Sequence, residues 1–105
     1  MRKLWLLVFL ILVSGCGAVK QDIPENALSI NIDNFAFTPA NIEINKGDTV
    51  TWINNDDAPH TVTFNGFSSE TLVKGGSYKH TFNDLGDFDY YCKLHPSMKG
   101  KVIVK

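Results

Sequence analysis

The sequence predicts an all-β domain, a sandwich or barrel of about eight short antiparallel strands, over residues 28–105. Two observations lead to this prediction. Apolar residues alternate with polar ones in short runs that end at turn residues, which is typical of strands with one buried face. No stretch of ten or more residues after position 27 shows the 3.6-residue period of an amphipathic helix.

The first fifteen residues have the features of an export signal. "MRK" precedes the apolar run "LWLLVFLILV" (4–13), which suits a signal-peptide core and is too short to span a bilayer. The run ends at "VSGC", which resembles the lipobox of bacterial lipoproteins. That resemblance implies cleavage of residues 1–15 and lipid attachment at Cys16. The alternative is an ordinary signal peptide, or an uncleaved anchor, with an incidental cysteine.

Residues 16–27 are predicted to be the lipidated cysteine and a flexible tether, because the segment is polar and contains glycine and proline. The folded domain is expected to begin at Leu28. In "LSINIDNF", Leu28, Ile30 and Ile32 share one face. Seven further runs follow the same pattern: 41–45, 49–54, 61–64, 70–73, 77–82, 87–92 and 101–105. The turns between them include "KGD" (46–48), "KGG" (74–76) and "NDLGD" (83–87).

Charge and cysteine content limit the range of possible functions. Ten basic and eleven acidic residues form no basic patch, so the sequence offers no surface for nucleic acid. If one of the two cysteines, Cys16, carries lipid, then Cys92 has no disulfide partner. A free thiol outside the cytoplasm is open to oxidation unless it is buried or bound to a metal.

The segment "YYCKLHPSMKG" places Cys92, His95 and Met98 at spacings of three. Two histidines and a cysteine with a weak axial methionine are the ligands of blue-copper electron-transfer sites. A second histidine must come from elsewhere. His60 lies in the loop "NNDDAPHTV", whereas His80 lies mid-strand on a sheet face, where a histidine more often packs than binds metal. His60 is therefore favoured. The alternative, in which cysteine, histidine and methionine have no common role, does not account for their joint spacing.

These residues carry a family resemblance. "DYYCKLHPSMKGKVIV", with "DDAPHTV" some thirty residues earlier, resembles the plastocyanin and amicyanin group of cupredoxins, and the ligand spacing is closest to amicyanin. The resemblance implies a Greek-key β-sandwich with one type 1 copper ion at one end, bound by His60, Cys92, His95 and Met98. It also shows a departure: the amicyanin pattern has asparagine after the first histidine, where this chain has Thr61. The resemblance assigns that asparagine a part in holding the two ligand loops together, and the Thr61 hydroxyl is the candidate substitute.

Four protein ligands leave no open position for a substrate, so we expect an electron carrier rather than an enzyme. The carrier would shuttle one electron between redox proteins, lipid-anchored on the outer face of the cell membrane or in the periplasm. The alternative is a copper-binding transport or sequestration lipoprotein, which would exchange its metal readily. A metal-free adhesion-like sandwich would leave the cluster of ligands unexplained.

The expected partners are redox proteins that dock on a monomer through a small apolar patch near His95. The apolar residues closest to the ligands in sequence are Ala58, Pro59, Leu94 and Pro96. Asp56, Asp57, Lys93 and Lys99 are candidate charges at the rim of this patch, or ordinary solvated loop charges.

Tyr91 is a candidate second electron port. Strand alternation points it outward if Cys92 points inward. This resembles plastocyanin, in which a tyrosine before the cysteine marks such a port. The alternative is an exposed aromatic ring that stabilises its cross-strand neighbours.

Overall fold

The structure is a computed structural model that describes residues 28–105. These residues form two four-stranded sheets, ordered β2-β1-β4-β6 and β3-β8-β7-β5. The strands are β1 (Ser29–Asp33), β2 (Ala36–Thr38), β3 (Asn41–Ile44), β4 (Thr49–Asn54), β5 (Thr63–Phe64), β6 (Ser77–Thr81), β7 (Gly86–Tyr91) and β8 (Lys99–Val104). The predicted all-β, eight-stranded sandwich is confirmed.

The predicted signal peptide, Cys16 and the tether lie outside the described residues. Within residues 28–105, no helix is long and apolar enough to cross a membrane.

Two of the eight strands differ from those predicted. The run 70–73 forms only an isolated bridge, between Leu72 and His60. After Leu72 the chain enters a turn, in which the Gly76 amide donates to the Val73 carbonyl at 2.8 Å. The eighth strand is instead β2, whose three residues are too few to show a period and bury only Phe37.

The sequence predicted antiparallel strands throughout, but the structure contains two parallel pairs. β1 runs parallel to β4, with Ile30 opposite Trp52, and β3 runs parallel to β8, with Ile42 opposite Val102. In both pairs the intervening chain crosses to the other sheet before it returns. The two-residue period reports which face a side chain occupies and carries no information on strand direction, so this error was inherent in the pattern.

The core lies between the sheets and is centred on Trp52, which is fully buried. Its indole packs edge-on against Phe64 and Tyr90, at centroid distances of 5.9 and 5.5 Å. Burial raises the pKa of Tyr90 to about 12. Across from Tyr90 on β8, a side chain at Gly100 would overlap the tyrosine ring. The glycine is therefore required by close packing beneath the loop that carries the candidate ligands.

His80 has a packing role at the edge of the sandwich. It lies on the edge strand β6, and its ring stacks on Phe67 at 4.3 Å with the ring planes 20° apart. Tyr78 and Phe82 provide further ring contacts. Burial lowers the pKa of His80, which favours the neutral ring. This placement agrees with the expectation that His80 packs on a sheet face.

Candidate metal centre

Two loops bring the predicted ligands together. His60 lies between β4 and β5, whereas Cys92, His95 and Met98 lie between β7 and β8. The His60 backbone exchanges two hydrogen bonds with Leu72, of 3.0 and 2.7 Å. This bridge fixes the position of His60 within an otherwise irregular loop.

The spacing of three in the second loop has a backbone cause. The His95 amide donates to the Cys92 carbonyl at 3.2 Å, and the Met98 amide donates to the His95 carbonyl at 2.9 Å. These are two consecutive four-residue turns, and each hydrogen bond joins residues that are three positions apart. A third bond, from the Cys92 amide to the Met98 carbonyl at 3.1 Å, joins the ends of the loop. The loop is therefore a closed and compact unit that begins and ends at a candidate ligand.

The ligand atoms form a compact triangle. Cys92 Sγ lies 3.6 Å from His60 Nδ1 and 3.7 Å from His95 Nδ1, and the three atoms are all within 4.8 Å of one another. Metal bonds of about 2.3 Å to sulfur and about 2.0 Å to nitrogen, at trigonal angles, separate sulfur and nitrogen by about 3.7 Å. The triangle thus fits one metal ion, and its soft donor set fits copper.

Burial of the four predicted ligands is unequal. His60 and Cys92 are fully buried, and Met98 is buried, whereas His95 is only half-buried. The loop closure described above holds the Met98 backbone beside the Cys92 backbone. The site is therefore enclosed on the protein side and approached by solvent at His95.

Asp56 orients His60. The Asp56 carboxylate accepts a hydrogen bond from His60 Nε2 at 2.9 Å, which leaves Nδ1 as the unprotonated nitrogen that faces Cys92. The bond from His60, followed by that from the Phe35 amide, keeps the pKa of Asp56 below its ordinary value. Sequence analysis considered Asp56 only as a rim or solvated charge, and the structure instead joins it to a candidate ligand.

Asn54 supports the same loop and was missed in the sequence analysis. Its fully buried amide group donates to the carbonyls of Ala58 and Leu72, at 3.0 and 2.7 Å, and accepts from the Asp56 amide at 2.8 Å. A signal was present, since Asn54 continues the buried face of β4 after Val50 and Trp52. A polar residue in a buried position needs partners, and here those partners shape the loop that carries His60.

Thr61 joins the two ligand loops. Its amide donates to Cys92 Sγ at 3.4 Å, and its buried hydroxyl accepts from the Lys93 amide at 2.8 Å. A further hydroxyl contact, of 2.9 Å, links it to Thr63. The Thr61 hydroxyl therefore makes the connection between loops that the family resemblance assigned to asparagine.

The residues predicted to form the apolar patch near His95 differ in exposure. Pro59, Leu94 and Pro96 are exposed, whereas Ala58 is half-buried. Of the predicted rim charges, Lys93 and Lys99 are exposed, and Asp57 forms an exposed ion pair with Lys74 at 2.9 Å.

Sequence analysis also missed Phe35 in the turn between β1 and β2. Its ring contacts both His60 and His95.

The fold and the site together define a class: a small β-sandwich with a histidine–cysteine–histidine group, largely buried, between two neighbouring loops. Residues 4–104 match the family described as cupredoxin-like domain. Amicyanin from Paracoccus versutus is 36% identical over 91 residues, which cover 80% of this chain and 69% of the relative. A chloroplastic plastocyanin from Tetradesmus obliquus is 36% identical over 84 residues, covering 66% and 58%.

A solved amicyanin variant in its Cu(I) form superposes with a TM-score of 0.74 at 34% identity, over 80% of this chain and 87% of that chain. The chain belongs to the cupredoxin family. Amicyanins and plastocyanins are blue-copper electron carriers rather than enzymes, and each binds one type 1 copper ion. In the described part of this chain, His60, Cys92 and His95 form a group that could hold a metal ion.

Replacement of Asp56 by asparagine tests the role of the carboxylate. We expect Asp56→Asn to lower copper affinity by about 10–100-fold, because a neutral amide can turn either a donor or an acceptor toward His60 Nε2 and does not raise the basicity of Nδ1 as a carboxylate does. Copper affinity is measured by competition with a chelator. The control is Asp57→Asn, which changes the same charge one residue away in an exposed ion pair. Equal affinities in the two variants would show that Asp56 does not support the site.

Proposed function

We propose that this protein carries single electrons on one type 1 copper ion bound by His60, Cys92, His95 and Met98. The observation that supports this most directly is the triangle of two Nδ1 atoms and one Sγ, in which both sulfur–nitrogen distances match a trigonal metal site. When bound, copper supplies the Cu(II)/Cu(I) couple. The chain supplies the ligands, on two loops that are hydrogen-bonded to each other.

The residues around the site favour electron transfer over catalysis. The Thr61 amide points at the sulfur of Cys92, and Asp56 restricts the ring of His60. Ligands restrained in this way move little when the charge of the site changes. With Met98 as the fourth ligand, no position remains for a substrate.

Electrons would enter and leave through His95, which is the half-buried member of the group. The exposed side chains of Leu94 and Pro96 beside it, with Pro59 from the other loop, offer a small apolar contact. Such a contact suits the small and short-lived interfaces of electron-transfer partners. We infer that a monomer of this protein docks redox proteins at this end.

The visible spectrum tests the proposed function. The copper-loaded protein should show an intense thiolate-to-copper band at one copper per chain, and Cys92→Ser should abolish it because oxygen replaces the sulfur ligand. Cys16→Ser, the other cysteine substitution, is the matched control and should retain the band. A colourless protein would contradict the proposal. A coloured protein that rapidly loses copper to a chelator would favour copper transport instead.

We also propose Tyr91 as a second electron port. Tyr91 directly precedes Cys92, is 39% exposed, and lines an open groove of about 790 Å³ together with Asp89, Pro96 and Lys99. The groove gives a partner access to a ring that is covalently close to the proposed sulfur ligand.

Two small oxidants of opposite charge test this port. We expect Tyr91→Ala to slow oxidation of the reduced protein by a cationic cobalt(III) complex or by hexacyanoferrate(III), with an unchanged visible spectrum. Stopped-flow absorbance measures both rates. Tyr91→Phe, which keeps the ring, is the matched control. Unchanged rates with both oxidants in Tyr91→Ala would show that the ring only packs against its neighbours.

We further propose export, with residues 1–15 as the signal peptide, Cys16 as the lipid-bearing residue and residues 16–27 as a tether to the domain at 28–105. The support is the "VSGC" pattern after the apolar run. In a bacterial host, we expect the protein to fractionate with membranes and Cys16→Ser to release it or to leave it unprocessed. Equal membrane association of both forms, at equal mass, would contradict lipid attachment.

A further inference from the structure

We propose that Phe35 covers the solvent side of the metal site: its ring positions His60 and His95 and keeps small anions away from the metal. This inference rests on the proposed copper site and assigns a positioning role to a residue outside the ligand loops. Phe35 belongs to the turn between β1 and β2, some 25 residues before the nearest ligand. Four observations support the proposal.

The first observation is the arrangement of three rings. The Phe35 ring lies 5.2 Å from the His60 ring and 4.9 Å from the His95 ring, and it is perpendicular to both, at 88°. The two imidazoles are themselves 5.0 Å apart at 60°. Edge-to-face packing is the favoured geometry between aromatic rings. Phe35 thus contacts both predicted histidine ligands at once and limits how each ring can turn.

The second observation is the backbone of the turn. Asp33 pairs with Ala36, so Asn34 and Phe35 form a two-residue hairpin loop, with φ angles of 54° and 57°. Such loops favour glycine at the second position, and a bulky residue there is strained. The backbone alone would thus favour glycine at position 35. Strain of this kind is concentrated at functional sites, which points to a role for the ring.

The third observation is the hydrogen bond that restrains this turn. The Phe35 amide donates to Asp56 Oδ2 at 3.0 Å, and the same oxygen accepts from His60 Nε2 at 2.9 Å. One carboxylate oxygen therefore joins the Phe35 backbone to the His60 ring. Displacement of the turn would disturb His60 through this shared partner as well as through the ring contact.

The fourth observation is exposure. Phe35 is 50% exposed although its ring contacts a histidine that is fully buried. His95 is only half-buried even with Phe35 in place. Removal of the phenyl ring would uncover the imidazole edges on the solvent side of the site. A small anion could then reach the metal from that side, which a carrier with four protein ligands must prevent.

The test is an azide titration of the copper(II)-loaded protein, followed by the thiolate-to-copper band. We expect no response in the unsubstituted protein and a saturable loss or shift of the band in Phe35→Ala. Phe35→Gly should respond in the same way, and its backbone suits the positive φ, so misfolding cannot account for the response. Leu85→Ala removes another exposed apolar side chain, from the turn between β6 and β7, and should remain unresponsive.

A second readout needs no metal. In the copper-free protein, NMR signals of the His60 and His95 ring protons should shift in Phe35→Gly, because the ring current of the phenyl group is lost, and should stay unchanged in Leu85→Ala. A band that azide does not affect in Phe35→Gly, with unshifted histidine signals, would overturn the proposal. If the unsubstituted protein forms no blue site, the proposed function fails, and the copper-free spectra still decide whether Phe35 positions the two rings.

Discussion

The hydrogen bond from the Lys93 amide to the buried Thr61 hydroxyl is the constraint on which the site depends. It joins two loops whose predicted ligands, His60 and Cys92, are 32 residues apart in the chain. A second bond, from the Thr61 amide to the sulfur, runs beside it. Without this connection each loop would present only part of a ligand set, and bringing the parts together on metal binding would cost conformational entropy. Because these hydrogen bonds join the two loops, they hold the three ligand atoms at the spacing that a metal ion requires.

The loop around His60 is held by polar groups at the end of the core. Asn54 is fully buried, and its side chain makes three hydrogen bonds that shape the path from β4 to His60. Asp56 then restrains the His60 ring. An unpaired buried amide would cost about 1–3 kcal/mol of stability. Here its hydrogen bonds are all made, so they avoid this cost and hold the loop rigid. For an electron carrier, restrained ligands are an advantage, because little of the structure has to rearrange when an electron arrives or leaves.

The structure also divides its aromatic residues into two groups with different consequences. Rings around Trp52 stabilise the sandwich, and the stack of Phe67 on His80 covers its edge. Phe35 instead packs against His60 and His95 at the protein surface. A substitution at this one exposed turn could therefore alter the environment of the metal without altering the core. This separation explains why a protein with one modest core can combine a rigid site with an accessible surface.

By itself, the sequence determined the all-β class, most of the strands and the grouping of Cys92, His95 and Met98, since period-two alternation and a spacing of three are local properties of the chain. It also favoured His60 over His80, because a loop histidine is free to bind whereas a mid-strand histidine packs. Only the tertiary structure decided the parallel pairings, the loss of the strand at 70–73, and the roles of Asn54 and Phe35. These depend on contacts between distant segments, and alternation records which face is buried without recording which segment covers it.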